Sequence, residues 1–465
     1  KSNEEKIEGL KDTISKLKEN EDSTKRRKIN ETVNQPTSKK PEWDKELPEK
    51  KKKKKRRAKG RPGRKGAGNR PKPDADEKNI NPLEQCPDCA TDLTDRPIIT
   101  TYERIVEDIA PPPEKTIVSK ETTESKWCPK CQQVVYSKTE AALPKSDIGI
   151  NTLVLICYLW VVSAISLPGI ANYLNAFFRI TISTAGISRM MIRLRLILTP
   201  IHEEILSDLK AGAMIFADET GWRVHGKLWW LWIFANQRSA FYWPDRQRGS
   251  PVVEKILGTV FSGVLITDAW YAYQLIVCEK QTCMAHIFRK VRKFRDAYPQ
   301  YWTIFIFYKR LRRIVEDGER LKKIRIEIGE MAFIRRLGLL EQRLEELLKW
   351  KNPNLPLQEI IKKVARQKEY ILTFVRYDNV SKTNNFGEYI IKRGILKRKV
   401  SGGSMSADGA MTYAILQSIA MTCQLRGLPF RKYLITCLGH YIRTGKPLSL
   451  ANYEALNGCQ EKLAA

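Results

Sequence analysis

No apolar run in this chain is long enough to cross a bilayer. The longest, residues 153–167 (LVLICYLWVVSAISL), is about 15 residues where a spanning helix needs about 20, and it stops at Pro168-Gly169. It is expected to be a buried core helix. Acidic residues are in deficit: 52 against 82 lysines and arginines, a formal net charge of +30. A balance of that sign points to a polyanionic partner, nucleic acid first, with a membrane surface the weaker reading. Cysteine is too sparse for a disulfide scaffold, at ten in 465 residues. Four of the ten form two Cys-x-x-Cys pairs, a pattern of reducing compartments and bound metal. Large apolar residues are nearly missing from 25–78, which excludes a packed core there. No secretory signal is visible, and since the sequence begins at Lys1 an upstream piece is expected.

Residues 1–24 carry Ile7, Leu10, Ile14 and Leu17 at alternating spacings of three and four, an a/d seam that suits a coiled coil. Two heptads do not stand alone, so this is the tail of a longer coiled coil or a frayed amphipathic helix. Residues 25–80 read as a basic disordered linker. Its unbroken run at 50–57 includes Lys51, Lys52, Lys53, Arg56 and Arg57, and KGRPGRKG follows with Arg61 and Arg64. Such a tract neutralises phosphates without reading sequence, and its Gly-Arg-Pro suits a narrow minor groove. A solvated tail and a nuclear localisation signal are further readings of the same residues.

Cys86 and Cys89 (QCPDC) and Cys128 and Cys131 (WCPKC) form two knuckles in a segment assigned to 81–140. Four thiolates in two tight turns complete a tetrahedral Zn²⁺ shell, structural because no position is left open. A small β ribbon is expected between them, at 97–106 and 116–122. Residues 141–210 read as helical. Within them 167–192 gives a helix, a break, and Ser183-Thr184 ahead of a helix bearing Arg189 and Arg193. That resembles a helix-turn-helix, though ordinary helical packing explains it nearly as well.

From Ala213 the pattern turns to strands, predicted at 214–217, 228–235, 239–243 and 263–267, with a helix at 251–257. The first delivers Asp218 and Glu219, and the last (GVLITD) delivers Asp268. An acid at the tip of a buried strand is costly unless something there needs negative charge, and a hydrated divalent metal is the commonest such need. Two such strands with this spacing make a ribonuclease-H-like arrangement, in which the first and fourth strands are neighbours and the two carboxylates meet. Residues 211–296 are the first part of that α/β core. Cys283 and His286 (CMAHIFRKVRKF) precede a basic helix with Arg289 and Lys290; they read as a packed pair, or as a histidine aimed at a phosphate. Residues 297–376 are charged and helical, an insertion. Residues 377–400 then offer Ser381, Thr383, Asn384 and Asn385 as helix caps and Glu388 in an early turn, followed by Lys392, Arg393, Lys397, Arg398 and Lys399. Taken alone, Glu388 reads as a surface residue. Residues 401–465 are a C-terminal helical region.

Together KGRPGRKG, CPDC…CPKC, DETGWRVHGKLWWLW, the strand ending in Asp268, CMAHIFRKVRKF, NNFGE and GGSMSADGAMTYAILQSIAMTCQLRGLPFRKYL resemble the IS66 family of transposases, from about Lys59 to the C-terminus. The resemblance implies a DDE-type enzyme whose catalytic triad falls on Asp218, Asp268 and Glu388. Two Mg²⁺ (or Mn²⁺) ions would sit there for DNA end cleavage and strand transfer, with His286, Asn384 and Asn385 as site support. It implies double-stranded DNA partners, the terminal inverted repeats and the target. They would be bound through the linker, the zinc unit, Arg189, Arg193, Arg289, Lys290, Lys397 and Arg398. It further implies a dimer or larger assembly, small accessory transposition proteins, and a prokaryotic cytoplasmic, nucleoid-associated setting; family members commonly begin with a coiled coil. Arg61 and Arg64 stand where Gln and His are common, and His225 where Asp is frequent; none touches the triad. Two rivals stay open: a domesticated or inactive DNA-binding protein, and a ribonuclease-H-like nuclease that cuts without joining.

Overall fold

The computed structural model describes residues 83–85, 89–97, 99, 101 and 116–463, with side chains to residue 456. The described residues fall in two units, one within 40–115 and the other from Thr116 onward. The coiled-coil and linker readings, with Lys51, Lys52, Lys53, Arg56, Arg57, Arg61 and Arg64, lie outside the described residues, as does Cys86. In the first unit the Leu93 amide donates to the Glu84 carbonyl at 2.8 Å, and Asp92 accepts from the Thr94 amide at 2.9 Å.

The second unit opens with a hairpin, β1 (Ser125–Cys128) and β2 (Gln133–Tyr136). The ribbon expected at 116–122 is not formed. Ser119 within that stretch and Thr139 beyond the hairpin both donate to Glu121, and the ladder starts only beyond Glu124. Three helices follow: α1 (Ile150–Val161), α2 (Leu167–Phe178) and α3 (Thr184–Lys210). The apolar run at 153–167 is therefore not one helix. The first helix stops at Val161, Ala164 takes a positive φ of 58°, and Ser166 caps a new helix by accepting from the Gly169 amide, with Pro168 in its first turn, where proline is tolerated. No helix among the described residues is long and apolar enough to cross a membrane.

The centre is a five-stranded mixed sheet of β3 (Met214–Val224), β4 (Lys227–Ala235), β5 (Ala240–Asp245), β6 (Val260–Thr267) and β7 (Val277–Thr282), ordered β5-β4-β3-β6-β7. The first three strands are antiparallel, and β6 and β7 run parallel to β3. Helix α4 (Ser250–Leu257) links β5 to β6. After β7 come α5 (Met284–Ala297), α6 (Trp302–Lys323), α7 (Glu330–Leu348) and α8 (Leu355–Ala365), then α9 (Asn385–Ser401), α10 (Ala407–Leu425), α11 (Phe430–Thr444) and α12 (Leu450–Leu463). Both sheet faces are covered, and period-two alternation assigns them. Ile215 and Ala217 pack with α1 to α4, α10 and α11. Met214 and Phe216 pack with α5 to α8. Near the β3–β4 hairpin, Trp222, Leu231 and Ile233 pack with α9 and α10. The hairpin tip is pinned by the glycine pair before α10: the Ser404 amide donates to the Arg223 carbonyl at 2.8 Å and the His225 amide to the Ser404 carbonyl at 2.9 Å.

Candidate active site

Strands β3 and β6 pair over three positions, Met214–Val264, Ile215–Leu265 and Phe216–Ile266. Asp218 and Asp268 each lie two residues beyond that last pair, at equivalent points of neighbouring parallel strands. The first strand does not end at Ala217 as predicted. Asp218 to Val224 continue it against β4 as far as Val224–Lys227, because Trp222 and Val224 alternate into a core there. What ends at Phe216 is the partnership with β6. Its chain turns away after Thr267, with the Trp270 amide donating to Asp268 Oδ1 at 3.2 Å and a 3₁₀ turn at Tyr271–Tyr273. The two carboxylates stand where the ladder stops.

Glu388 joins them from the first turn of α9, close enough for its charge to act on both. Asn384 precedes the helix without capping it, and its side-chain amide donates to the Ala217 carbonyl at 2.9 Å. Its backbone amide donates to Cys283 Sγ at 3.1 Å, and the Cys283 amide donates to the Thr267 carbonyl at 2.8 Å. Cys283 is thus a buried junction between the Asp268 strand and the Glu388 helix. His286 Nε2 stands 3.8 Å from Glu388 Oε1, too far for a hydrogen bond. Glu388 Oε1, His286 Nδ1 and Asn384 Oδ1 are buried without hydrogen-bond partners among the described residues. Asn385 is exposed.

The acids feel one another. Burial lifts the Asp218 carboxyl well above the usual range, and the charges of Glu219, Asp268 and Glu388 add to this. Burial likewise pushes Asp268 up to about 7, with Glu219 and Glu388 adding and Arg248 opposing. Burial pushes His286 down to about 4, helped by Arg289, so its ring is neutral near pH 7. Glu219, on the opposite face of β3 from Asp218, accepts from Arg248 Nη2 at 2.8 Å and from Tyr273 Oη at 2.7 Å. The sequence reading missed Arg248 and Tyr273, which lie 29 and 54 residues downstream of Glu219; no local motif announces them.

Among the described residues no three His, Cys, Asp or Glu side chains converge tightly enough to hold one ion as they stand. The donor chemistry nevertheless suits a hard cation: oxygen-only, anionic, with one buried carboxylate oxygen lacking a partner. Cys128 closes β1 and Cys131 lies in the turn after it; hydrogen bonds from Cys131 lower the Cys128 thiol. Cys89, in the other unit, meets Thr91 Oγ1 at 3.1 Å.

The basic residues divide. Arg189 is exposed on α3, while Arg193 donates to the Pro144 carbonyl. Arg289 and Lys290 follow His286 on α5, and burial with Lys363 and Arg366 nearby brings Lys290 down to about 8. Arg398 is turned onto β3, donating to Thr220 Oγ1 at 3.1 Å and to the Gly221 carbonyl. Lys397 is a correction. It is 2% exposed, its ammonium donates to the Ile165 carbonyl at 2.7 Å and lies over Trp160. It falls on the buried face of α9, with Ile390 and Gly394, so no phosphate reaches it.

In comparison with known proteins, the family described as "Transposase IS66 family" matches residues 145–412. An uncharacterised protein of Sinorhizobium fredii, y4jO, is 30% identical over 83 residues, 18% of this chain and 26% of that relative. The match thus spans about a quarter of the curated relative's length.

Proposed function

Because the chain belongs to the transposase IS66 family, we propose that it cuts and joins DNA ends at a ribonuclease-H-like core through Asp218, Asp268 and Glu388. The supporting observation is the equivalence of Asp218 and Asp268 just past the last β3–β6 pair, with Asn384 tying the helix of Glu388 to Ala217. These three carboxylates would hold Mg²⁺ or Mn²⁺. Bound there, the metal supplies activation of water or a 3′ hydroxyl and stabilisation of charge on the leaving oxygen.

The chain's own residues do the rest by positioning, which phosphoryl transfer mainly requires. Asn384 fixes the height of Glu388 against β3, and Cys283 fixes it against the Asp268 strand. His286, neutral and beside Glu388, would donate its ring N–H to a phosphate oxygen. Arg289 and Lys290 continue this face along α5, Arg189 and Arg193 belong to the helix-turn-helix-like region, and the linker arginines and lysines take the DNA backbone without reading sequence. In the structural Zn²⁺ site expected from the two Cys-x-x-Cys knuckles, Cys128 and Cys131 would supply one of the two thiolate pairs. Two DNA ends call for a dimer or larger assembly, with accessory proteins as further partners, in a prokaryotic cytoplasmic, nucleoid-associated setting.

The test is a strand-transfer assay on labelled DNA from the gene's own flanking ends plus a supercoiled target, in Mg²⁺ or Mn²⁺, beside Glu388→Gln. Joined products from the wild-type protein alone are expected. Cleavage without joining would replace the reading with a nuclease, and binding with neither would replace it with a DNA-binding protein.

A further inference from the structure

Beyond Phe216–Ile266 no backbone ladder joins β3 to the segment after β6. Something else must hold Asp218 and Asp268 at a fixed separation, and the molecule supplies a side-chain bridge. Arg248, in the loop between β5 and α4, donates from Nε at 3.1 Å and Nη2 at 2.8 Å to Oε1 of Glu219. Glu219 is the strand neighbour of Asp218, and its side chain is 2% exposed. The same guanidinium lies 4.3 Å from the ring centroid of Trp230 and 4.1 Å from that of Trp270. Trp270 in turn gives its backbone amide to Asp268. Tyr273, in the turn after Trp270, closes the loop on Glu219 Oε2.

We propose that Arg248 is a positioning residue: clamped between Trp230 and Trp270 and forked onto Glu219, it sets the spacing of the Asp218 and Asp268 carboxylates across the open end of the sheet. The inference rests on the carboxylate reading above. A lysine cannot replace this arginine. An ammonium makes no planar fork and does not fill a slot between two indoles, although it keeps the charge beside Glu219. The clamp acts on the two carboxylates through Glu219 and the Trp270 backbone.

The test uses the full chain without DNA. Mn²⁺ is titrated calorimetrically into wild type, Arg248→Lys, Trp270→Phe and Asp218→Asn, with thermal melts to check folding. Outer partners of metal ligands typically contribute 10- to 100-fold in metal affinity, so Arg248→Lys is expected to weaken Mn²⁺ binding about tenfold while melting cooperatively. Its DNA-end affinity should stay at the wild-type value, and its cleavage should be rescued by raised Mn²⁺. Wild-type Mn²⁺ affinity in Arg248→Lys would overturn the clamp. Should that variant not fold, Trp270→Phe decides on the same titration: several-fold weaker binding supports the clamp, and unchanged binding removes it. Asp218→Asn separates the two levels. If it binds Mn²⁺ like wild type, the carboxylate reading itself fails; if it loses binding while Arg248→Lys does not, only the clamp fails.

Discussion

Asn384 gives its side-chain amide to the carbonyl of Ala217 at 2.9 Å, joining the residue before the third acid's helix to the residue before the first acid. The contact spans 167 positions of sequence, and both partners are 1% exposed. Removing one partner of a buried hydrogen bond leaves the other unsatisfied, at about 1–3 kcal/mol. Asn384→Ala is therefore expected to lower stability by that order and to reduce DNA cleavage further than the melt alone explains. Gly387→Ala should act in the same direction, since a Cβ there would stand 2.5 Å from Asn384 Oδ1. Denaturant titration and cleavage rates read both effects; wild-type activity in Asn384→Ala would show that Glu388 does not depend on this tie.

Lys397 gives a pH signature. Burial lowers its ammonium from 10.5 to about 7, so the folded state resists a charge that the unfolded chain accepts. Below about pH 7 both states are charged and the penalty is complete. Between there and the unfolded value the unfolded state binds more protons, so this group's contribution to stability rises with pH. Lys397→Met should flatten that rise, leave the protein at least as stable near neutrality, and leave DNA affinity unchanged. Thermal melts across pH 7 to 10 and a DNA-binding titration check it. A large loss of DNA affinity would put Lys397 back among the phosphate contacts.

Metal should act on the acid cluster with its own pH sense. Burial raises Asp218 and Asp268, so without metal their contribution to stability falls as pH rises above the ordinary carboxyl range, for Asp268 toward about 7. A divalent cation favours the ionised forms, releases protons and opposes that fall. Added Mg²⁺ should therefore raise the melting temperature more at pH 8 than at pH 5.5, and chelation should reverse the gain. Asp268→Asn should lose most of the effect; an equal gain in that variant would place the ion elsewhere.

Gly403 has φ of +123°, and a Cβ there would stand 2.3 Å from the Arg223 carbonyl oxygen. Gly403→Ala is expected to destabilise by on the order of 2 kcal/mol or more, combining backbone strain with a backbone clash. The loss should appear first as faster amide exchange at Ser404 and His225, whose backbone bonds pin the hairpin tip.

Much of this was legible locally. Short apolar runs at 214–217 and 263–267 marked two strands with acids after them, and the register makes those acids equivalent. Strand β7 was not legible: VCEKQT has a charged pair at its centre and buries Gln281 and Thr282, so it looks like a loop until its neighbours are known. Lys397 was misread although the information was present, since its spacing from Ile390 and Gly394 puts it on the helix's inner face. Arg248 and Tyr273 were beyond reach, because each meets Glu219 only after the sheet has formed.

Between α5 and α9 the chain makes a long helical excursion, yet its two ends are bonded neighbours: the Met284 amide reaches the Lys382 carbonyl at 2.9 Å, and the Asn384 amide reaches the Cys283 sulfur at 3.1 Å. Loop-closure entropy grows only slowly with length. An excursion stitched at its base can therefore vary in the turns between its helices without displacing the acids, so long as the faces that cover Met214 and Phe216 are kept. Those turns, not the packed faces, are where a further module could be spliced in.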